Sequence, residues 1–187
     1  HNMGYFLRSQ GKLEAAEPLC LQALEGYQRI GGDNHAGTLY SLMQMGDLRM
    51  DQGRPSEAEK YFRTAVERRR RVSGDDHPAT LDAADGLAGA IETQERWSDA
   101  EKWRRFLLEA ALRAEPADEG RIAAGRAGLG NDLLMQEKFS EAEAELRESI
   151  VHYEQSTKPD NWRRWRAQSL LGEAIAHDPE RNEEAER

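Results

Sequence analysis

The chain has 187 residues, of which 38% are hydrophobic and 33% are charged, so it can form one ordinary domain or a short repeat array with a lean core. Its 26 Lys and Arg residues against 35 Asp and Glu residues give a net charge of −9, which argues against a general nucleic-acid binder because such proteins neutralise phosphates. The single cysteine, Cys20, excludes an internal disulfide framework and favours a reducing, cytoplasmic compartment. The longest apolar runs, such as 106–108, are too short to cross a bilayer, so we expect no membrane segment.

A seven-residue segment that ends in Ala-Glu recurs along the chain at a spacing of 42 residues. The four copies align without gaps and occupy residues 11–17, 53–59, 95–101 and 137–143. A fifth copy at 180–186 begins 43 residues after the fourth, which predicts one inserted residue in the turn at 177–179. A small residue precedes each of the four copies by seven positions, at Gly4, Gly46, Ala88 and Gly130. A fixed register over four copies predicts a repeat protein.

Each repeat is predicted to contain two helices. Ala, Leu, Glu, Arg and Gln dominate the segments, and these are strong helix formers. Within 56–66, apolar residues recur at 58, 61, 62, 65 and 66, which is a helical stripe rather than the alternation that propeller strands require. Helix A is predicted at 36–52, 78–94 and 118–136. Helix B is predicted at 55–72, 97–113 and 139–156.

Small residues predict where the two helices of a pair meet. Glycine or alanine at 46, 88 and 130 on helix A faces alanine at 16, 58, 100 and 142 on helix B, which permits close approach of the helix axes. Larger residues follow the helix B alanine by one turn, at Cys20, Phe62 and Leu146. Cys20 is therefore predicted to be a buried structural thiol rather than a reactive one.

The segment 74–78, Gly-Asp-Asp-His-Pro, contains three potential metal ligands in a row. Adjacent residues rarely converge on one ion, so we predict no metal site. Asp75 or Asp76 is instead predicted to cap the following helix, with Pro78 in its first turn. The chain contains no phosphate-binding loop, dinucleotide fingerprint or zinc-protease helix, so we expect neither a catalytic residue nor a cofactor.

These features resemble the tetratricopeptide repeat, in the 42-residue version found in kinesin light chains and many bacterial proteins. The matching residues are Gln10-Gly11, Gln52-Gly53, Ala16-Glu17-Pro18-Leu19, Ala58-Glu59 and Gly74-Asp75-Asp76-His77-Pro78. The resemblance implies an all-α fold, a right-handed α-solenoid of helix-turn-helix repeats. It implies one array over 1–187, with repeats at roughly 1–35, 36–77, 78–117, 118–159 and 160–187. The first and last repeats are incomplete, so we expect a fragment of a longer protein.

Two repeats depart from the family pattern. Glu95 and Glu137 replace the turn glycine, and the link 113–118 lacks the Gly-Asp-x-His-Pro form. The sequence therefore leaves the local inter-repeat angles undetermined in this part of the chain.

In this family, helix A lines the concave face that binds ligands. The common register places there Tyr5, Arg8, Tyr40, Met43, Asp47, Met50, Asp82, Asp85, Gly89, Glu92, Ala124, Ala127, Asn131, Leu134, Arg166, Ser169 and Glu173. The centre of this face is acidic, and its tyrosine and methionines add an adaptable apolar patch. We expect a non-catalytic interaction module that binds a basic peptide, or a partner domain, with an apolar anchor. The alternative is a solvated acidic face without a ligand.

Two other functional classes stay open. The segment 162–174 resembles the C-terminal repeats of some bacterial serine/threonine kinases, which would make the chain a regulatory region of a larger enzyme. A sensor of peptide signals joined to a DNA-binding domain is a further alternative. Repeat arrays cut at both ends expose apolar faces, so we also expect concentration-dependent, end-to-end self-association of this chain.

Two basic runs are candidate nucleic-acid sites. The run Arg68-Arg69-Arg70-Arg71 is predicted to lie in the last turn of helix B, on its solvated outer face, where positive charge suits the helix dipole. In the run Trp162-Arg163-Arg164-Trp165-Arg166, the tryptophans are predicted to pack into the last repeat. We therefore expect no nucleic-acid partner.

Overall fold

The computed structural model describes residues 2–156 and 162–177 of the chain, and the fifth copy of the repeat at 180–186 lies outside these residues. The described part contains nine helices and no strand. In chain order the helices are α1 (Asn2–Ser9), α2 (Leu13–Gly31), α3 (Ala36–Asp51), α4 (Pro55–Ser73), α5 (Pro78–Glu92), α6 (Trp97–Arg113), α7 (Glu119–Leu134), α8 (Phe139–Gln155) and α9 (Trp162–His177). Every predicted helix end lies within two residues of an observed one, so the predicted all-α fold is confirmed.

The chain forms two compact units. The first, His1–Arg96, contains α1 to α5, and the second begins at Trp97 and contains α6 to α9. Within each unit every helix packs on its neighbours along the chain, and α3 also lies against α5 in the first unit, as α7 lies against α9 in the second. Packing on sequence neighbours is the expected behaviour of repeat proteins.

Each unit has its own apolar core. In the first unit the largest buried side chains include Phe62, Met45, Leu48 and Ile91. In the second unit a cluster centred on α7 and α8 contains Leu129, Leu133, Leu146 and Tyr153, among others. The stripe predicted in 56–66 is confirmed, since positions 58, 62, 65 and 66 are buried in α4.

The small residues lie where the sequence predicted. A methyl group added at Gly46 would come within 2.6 Å of the Phe62 ring, and one added at Gly130 within 2.6 Å of Leu146. A methyl group added at Gly4 would likewise come within 2.8 Å of the Cys20 Sγ. Cys20 is buried, and this burial raises the pKa of its thiol. The prediction of a structural thiol in a core position is therefore confirmed.

The tight turn between the paired helices keeps one conformation although its residue changes. Gly11 and Gly53 have φ angles of 72° and 70°, and Glu95 and Glu137 have φ angles of 59° and 60° at the equivalent positions. Only glycine adopts this left-handed region without steric cost. The two glutamates therefore hold the glycine conformation under strain.

The predicted helix caps need a correction. Neither Asp75 nor Asp76 caps α5; the cap is His77, whose Nδ1 accepts a hydrogen bond from the Ala79 N–H at 3.1 Å. His35 caps α3 in the same way, through the Gly37 N–H. The aspartate prediction failed because the histidine, one residue before the helix, reaches the free N–H groups directly. Pro78 does occupy the first turn of α5, as predicted.

Candidate partner-binding surface

One row of apolar side chains follows α3. Tyr40 is 41% exposed, and Met43 and Met50 are half-buried. These positions recur at spacings of three and seven residues, which keeps them on one face of a helix. Methionine side chains are flexible and polarisable, so this row can adapt to differently shaped apolar groups.

A row of carboxylates follows α5, the helix beside α3. Asp82 and Asp85 are exposed and Glu92 is half-buried. These three residues are the only charged side chains of α5, which carries no Lys or Arg. Each acid stands 42 residues after a member of the α3 row, so the two rows occupy equivalent positions on adjacent helices. We call these six residues the α3–α5 surface.

Two further residues that were predicted to contact a ligand, Arg8 and Asp47, instead pair with each other within the protein. The Arg8 guanidinium on α1 lies 2.7 Å from the Asp47 carboxylate and 3.0 Å from that of Asp51, both on α3. Arg8 also lies over the Tyr5 ring, at 5.8 Å from its centre. Burial by itself lowers the pKa of Arg8, but the two aspartates outweigh it and raise the pKa. Asp47 therefore contributes little net negative charge to this region.

The sequence predicted a solvated face for the basic run on α4, but this run is only partly exposed to solvent. Arg68 pairs with Asp33 at 3.1 Å, and Arg70 binds Asp75 through two hydrogen bonds of 2.7 Å. Arg69 is half-buried, and this burial lowers its pKa while nearby Asp82 opposes the shift. The run lies at the end of α4, where Asp33 from the link before α3 and Asp75 from the link after α4 pair with it.

The remaining predicted contacts lie in the second unit. Asn131 is half-buried on α7, and Arg166 is exposed on α9, the neighbouring helix. Leu134, which the common register placed on the ligand face, is instead buried in the core of this unit. It is the last residue of α7 and packs inward, so it cannot contact a ligand.

The tryptophans of α9 also need a correction. Trp162 and Trp165 are 65% and 67% exposed, although the sequence predicted that they pack into the repeat. The residues of α9 that are buried are Ala167 and Ala174, one heptad apart. This face of small residues packs towards the other helices, and the tryptophans lie on a different face.

A recurring polar contact escaped sequence reasoning. In each of three repeats a helix B glutamate accepts a hydrogen bond of 2.9 Å from a glutamine 35 residues later, in the pairs Glu17–Gln52, Glu59–Gln94 and Glu101–Gln136. A basic side chain completes each site, namely Arg49, Arg96 or Lys138. The signal was present in the 42-residue recurrence of glutamine at 10, 52, 94 and 136. We call these contacts the repeat clamps.

Metal binding and membrane insertion are two further possibilities for the described residues. Among the described residues, no group of three His, Cys, Asp or Glu side chains is placed to hold a metal ion. In the segment 74–78, the His77 Nδ1 and the Asp75 carboxylate both take part in hydrogen bonds within the chain. Within the same described part, no helix is long and apolar enough to span a membrane.

Comparison with protein families gives one matching model. A model described as "Tetratricopeptide repeat" matches residues 1–49 and 38–111, which together exceed half of the chain. Among curated proteins, none matches this sequence.

Solved structures give close matches in fold at low sequence identity. The nearly identical TPR-like repeats of a Podosopora anserina protein described as a kinesin light chain are 17% identical and superpose with a TM-score of 0.82, over 100% of this chain and 88% of that chain. A variant of the same protein gives a TM-score of 0.83 with the same coverage. BtubC (BKLC) from P. vanneervenii is 15% identical, with a TM-score of 0.75 over 97% of this chain and 76% of that one. At identities of 15–17% these superpositions establish a shared fold, the solenoid of TPR repeats predicted above.

Proposed function

The chain belongs to the tetratricopeptide repeat family, and from this premise we propose that it is a non-catalytic module for protein–protein interaction. Its partner is a peptide or partner domain that carries Lys or Arg beside an apolar anchor. We assign the module to the cytoplasm, in keeping with its single buried cysteine. We further treat residues 1–187 as a single array, with repeat boundaries near 36, 78, 118 and 160.

The observation that carries this proposal is the pairing of two unlike rows on adjacent helices. The apolar row of α3 and the acidic row of α5 lie side by side, since α3 packs against α5 within the first unit. An apolar anchor that packs against Tyr40 and Met43 is removed from water, which favours binding. A cationic group placed over α5, one helix away, is attracted by the carboxylates of Asp82 and Asp85. A ligand needs both features to use the whole surface.

The ion pair between Arg8 and Asp47 limits where we expect the cation of the ligand to bind. Because Arg8 neutralises Asp47 and Asp51 at 2.7 and 3.0 Å, a ligand cation gains little near α1. The carboxylates of α5 attract it instead, although the Arg69 guanidinium near Asp82 offsets part of that attraction. Tyr5 and Arg8 then border the apolar end of the surface.

A titration with designed peptides tests the proposal. Two peptides of equal length and equal leucine content, one rich in Lys and Arg and the other in Asp and Glu, are titrated into the chain by calorimetry. We expect binding of the basic peptide, weakened by salt because the exposed charges are screened. The double substitution Asp82→Asn and Asp85→Asn is expected to weaken binding about three- to tenfold, since each exposed ion pair contributes about 0.2–1 kcal/mol.

A matched control removes the same charge elsewhere. Glu67→Gln and Glu148→Gln neutralise exposed acids on α4 and α8, so they change the net charge equally and should leave the affinity nearly unchanged. Equal loss in both double variants would mean that only net charge attracts the peptide. Preference for the acidic peptide would contradict the proposal.

A further inference from the structure

Helix α9 begins with an aromatic and basic surface that is exposed in the described part of the chain. Trp162 and Trp165 are 65% and 67% exposed and stand one turn apart. The Arg163 guanidinium lies 5.5 Å from the centre of the Trp162 ring, and Arg163 and Arg166 are both exposed. We call these four residues the α9 ridge. Large exposed aromatic side chains beside arginine are typical of interaction sites.

The α9 ridge has the chemistry that the α3–α5 surface is proposed to recognise. The α3–α5 surface is proposed to bind a cation beside an apolar anchor, and the α9 ridge presents arginine beside tryptophan. The rest of the chain has the opposite balance, since the net charge is −9. Copies of an acidic protein repel one another unless they meet through surfaces of opposite charge. The ridge is such a surface.

The spacing of the two surfaces also matches. The pairs Tyr40–Met43, Asp82–Asp85, Trp162–Trp165 and Arg163–Arg166 are each separated by three residues along a helix. Three residues correspond to a rise of about 4.5 Å. A helix laid along α3 and α5 can therefore set two tryptophans against the apolar row while two arginines meet the two aspartates.

We infer that the α9 ridge of one copy docks on the α3–α5 surface of a second copy, so that the chain is a ligand of its own kind. This inference rests on the proposed function, because it uses the same surface with the same ligand chemistry. The contact is heterologous, so association closes into a ring or continues as an open chain. It differs from the end-to-end stacking expected from the sequence, which would bury the outer faces of the terminal helices.

A charge-swap experiment in the ultracentrifuge tests the inference. One variant carries Asp82→Lys and Asp85→Lys, and another carries Arg163→Glu and Arg166→Glu. Each reversal replaces attraction by repulsion at two pairs, so we expect each variant alone to associate at least tenfold more weakly than the native chain. In an equimolar mixture the reversed surfaces match each other again, and association should return. Lys60→Glu with Lys102→Glu, two exposed positions on α4 and α6, is the matched control and should associate like the native chain.

The outcomes separate this inference from the proposed function. A native chain that stays monomeric up to about 1 mM overturns the inference, as does association that neither reversal weakens, or a mixture that fails to recover. The basic peptide described above is titrated into the monomeric variant with Arg163→Glu and Arg166→Glu, whose α3–α5 surface is intact. If this peptide binds while the native chain is monomeric, the inference fails and the proposed function stands. If the peptide does not bind, the proposed function fails on its own test.

Discussion

At the scale of single residues, the turn positions show how one conformation can be held by unlike side chains. Glu95 and Glu137 adopt φ angles of 59° and 60°, close to those of Gly11 and Gly53. A side chain in this region costs about 1 kcal/mol or more relative to glycine. The backbone bonds of the turn persist nonetheless, since the Arg96 N–H donates to the Ile91 carbonyl much as the Arg54 N–H donates to that of Arg49. The surrounding helix pair therefore imposes the turn on the glutamates.

Glycine at these positions should stabilise the protein. We expect Glu95→Gly to raise the free energy of unfolding by about 0.5–1 kcal/mol, because relief of the strained φ outweighs the added entropy of the unfolded chain. Urea unfolding followed by circular dichroism measures the change. Glu67→Gly is the matched control, since Glu67 is exposed in the interior of α4, and there glycine should cost about 1 kcal/mol. A loss of stability at position 95 would show that its φ is not strained.

The glycines between helices make the opposite prediction. Gly46→Ala places a methyl group 2.6 Å from the Phe62 ring, and overpacking of this kind costs about 1–3 kcal/mol. Gly89→Ala is the control, because its methyl group meets nothing within 4 Å and α5 gains a better helix former. Thermal unfolding should show a lower Tm for the first variant and an equal or higher Tm for the second. If the added methyl group clashes with the ring, Phe62→Leu should destabilise the Gly46→Ala variant less than it destabilises the native chain. An equal loss of stability in both backgrounds would show that the methyl group does not touch the ring.

At the scale of elements, the repeat clamps fix one helix B to the turn that follows the next helix A. In one clamp Glu101 receives hydrogen bonds of 2.9 Å from both Gln136 and Lys138. Burial alone raises the pKa of Glu101, but the bonds from Lys138, Gln136 and Arg105 outweigh it and lower the pKa to about 2. Hydrogen bonds from Arg49 and Gln52 likewise lower the pKa of Glu17 to about 2. Each clamp therefore stabilises the fold through an ionised carboxylate.

The clamps predict a defined response to acid. Because the pKa of Glu101 is depressed from 4.5 in the folded state, its contribution is complete above pH 4.5 and is lost as the pH falls towards 2. We expect this contribution to be about 2 kcal/mol, since the side chain is largely removed from solvent. Urea unfolding between pH 7 and pH 2.5 measures it.

The variant Glu101→Gln should lose stability at pH 7 and lose less on further acidification. Glu67→Gln, on an exposed face, should keep the native pH profile. A native chain with constant stability between pH 5 and pH 2.5 would show that the clamps do not act through ionised carboxylates.

At the scale of the whole molecule, packing on sequence neighbours limits how far a local change is felt. The described helices contact mainly the helices before and after them in the chain. Stability in such proteins is approximately a sum of repeat and nearest-neighbour terms. Local opening should therefore be confined to the repeat that is perturbed and its neighbours.

Hydrogen exchange checks this expectation. Gly130→Ala introduces a methyl group 2.6 Å from Leu146, so it should speed amide exchange in α7, α8 and α9 by tenfold or more, as expected for a loss above about 1.4 kcal/mol. Exchange in α3 and α4 should change much less. A uniform increase in all helices would mean that the chain unfolds as one cooperative unit.

Much of the fold could be predicted because the interactions that form each repeat join residues close together in the sequence. The 42-residue recurrence, the helical stripe of α4 and the small residue at position 46 all act between residues close in sequence or in adjacent helices. The caps were predicted less well, since histidine and aspartate can both accept from a helix N-terminus and only the backbone path selects His77. The exposed tryptophans of α9 were missed because aromatic residues are more often buried.

The sequence alone determined the helix pairs, their turns and the residues that let them approach, because these depend on local periodicity and side-chain size. Only the tertiary structure decided which charges remain available to a partner. Arg8 and Asp47 lie 39 residues apart, and their ion pair of 2.7 Å exists because packing brings α1 beside α3. Charge at a surface is set by such long-range neighbours, whereas a helix is set by the residues within a turn or two.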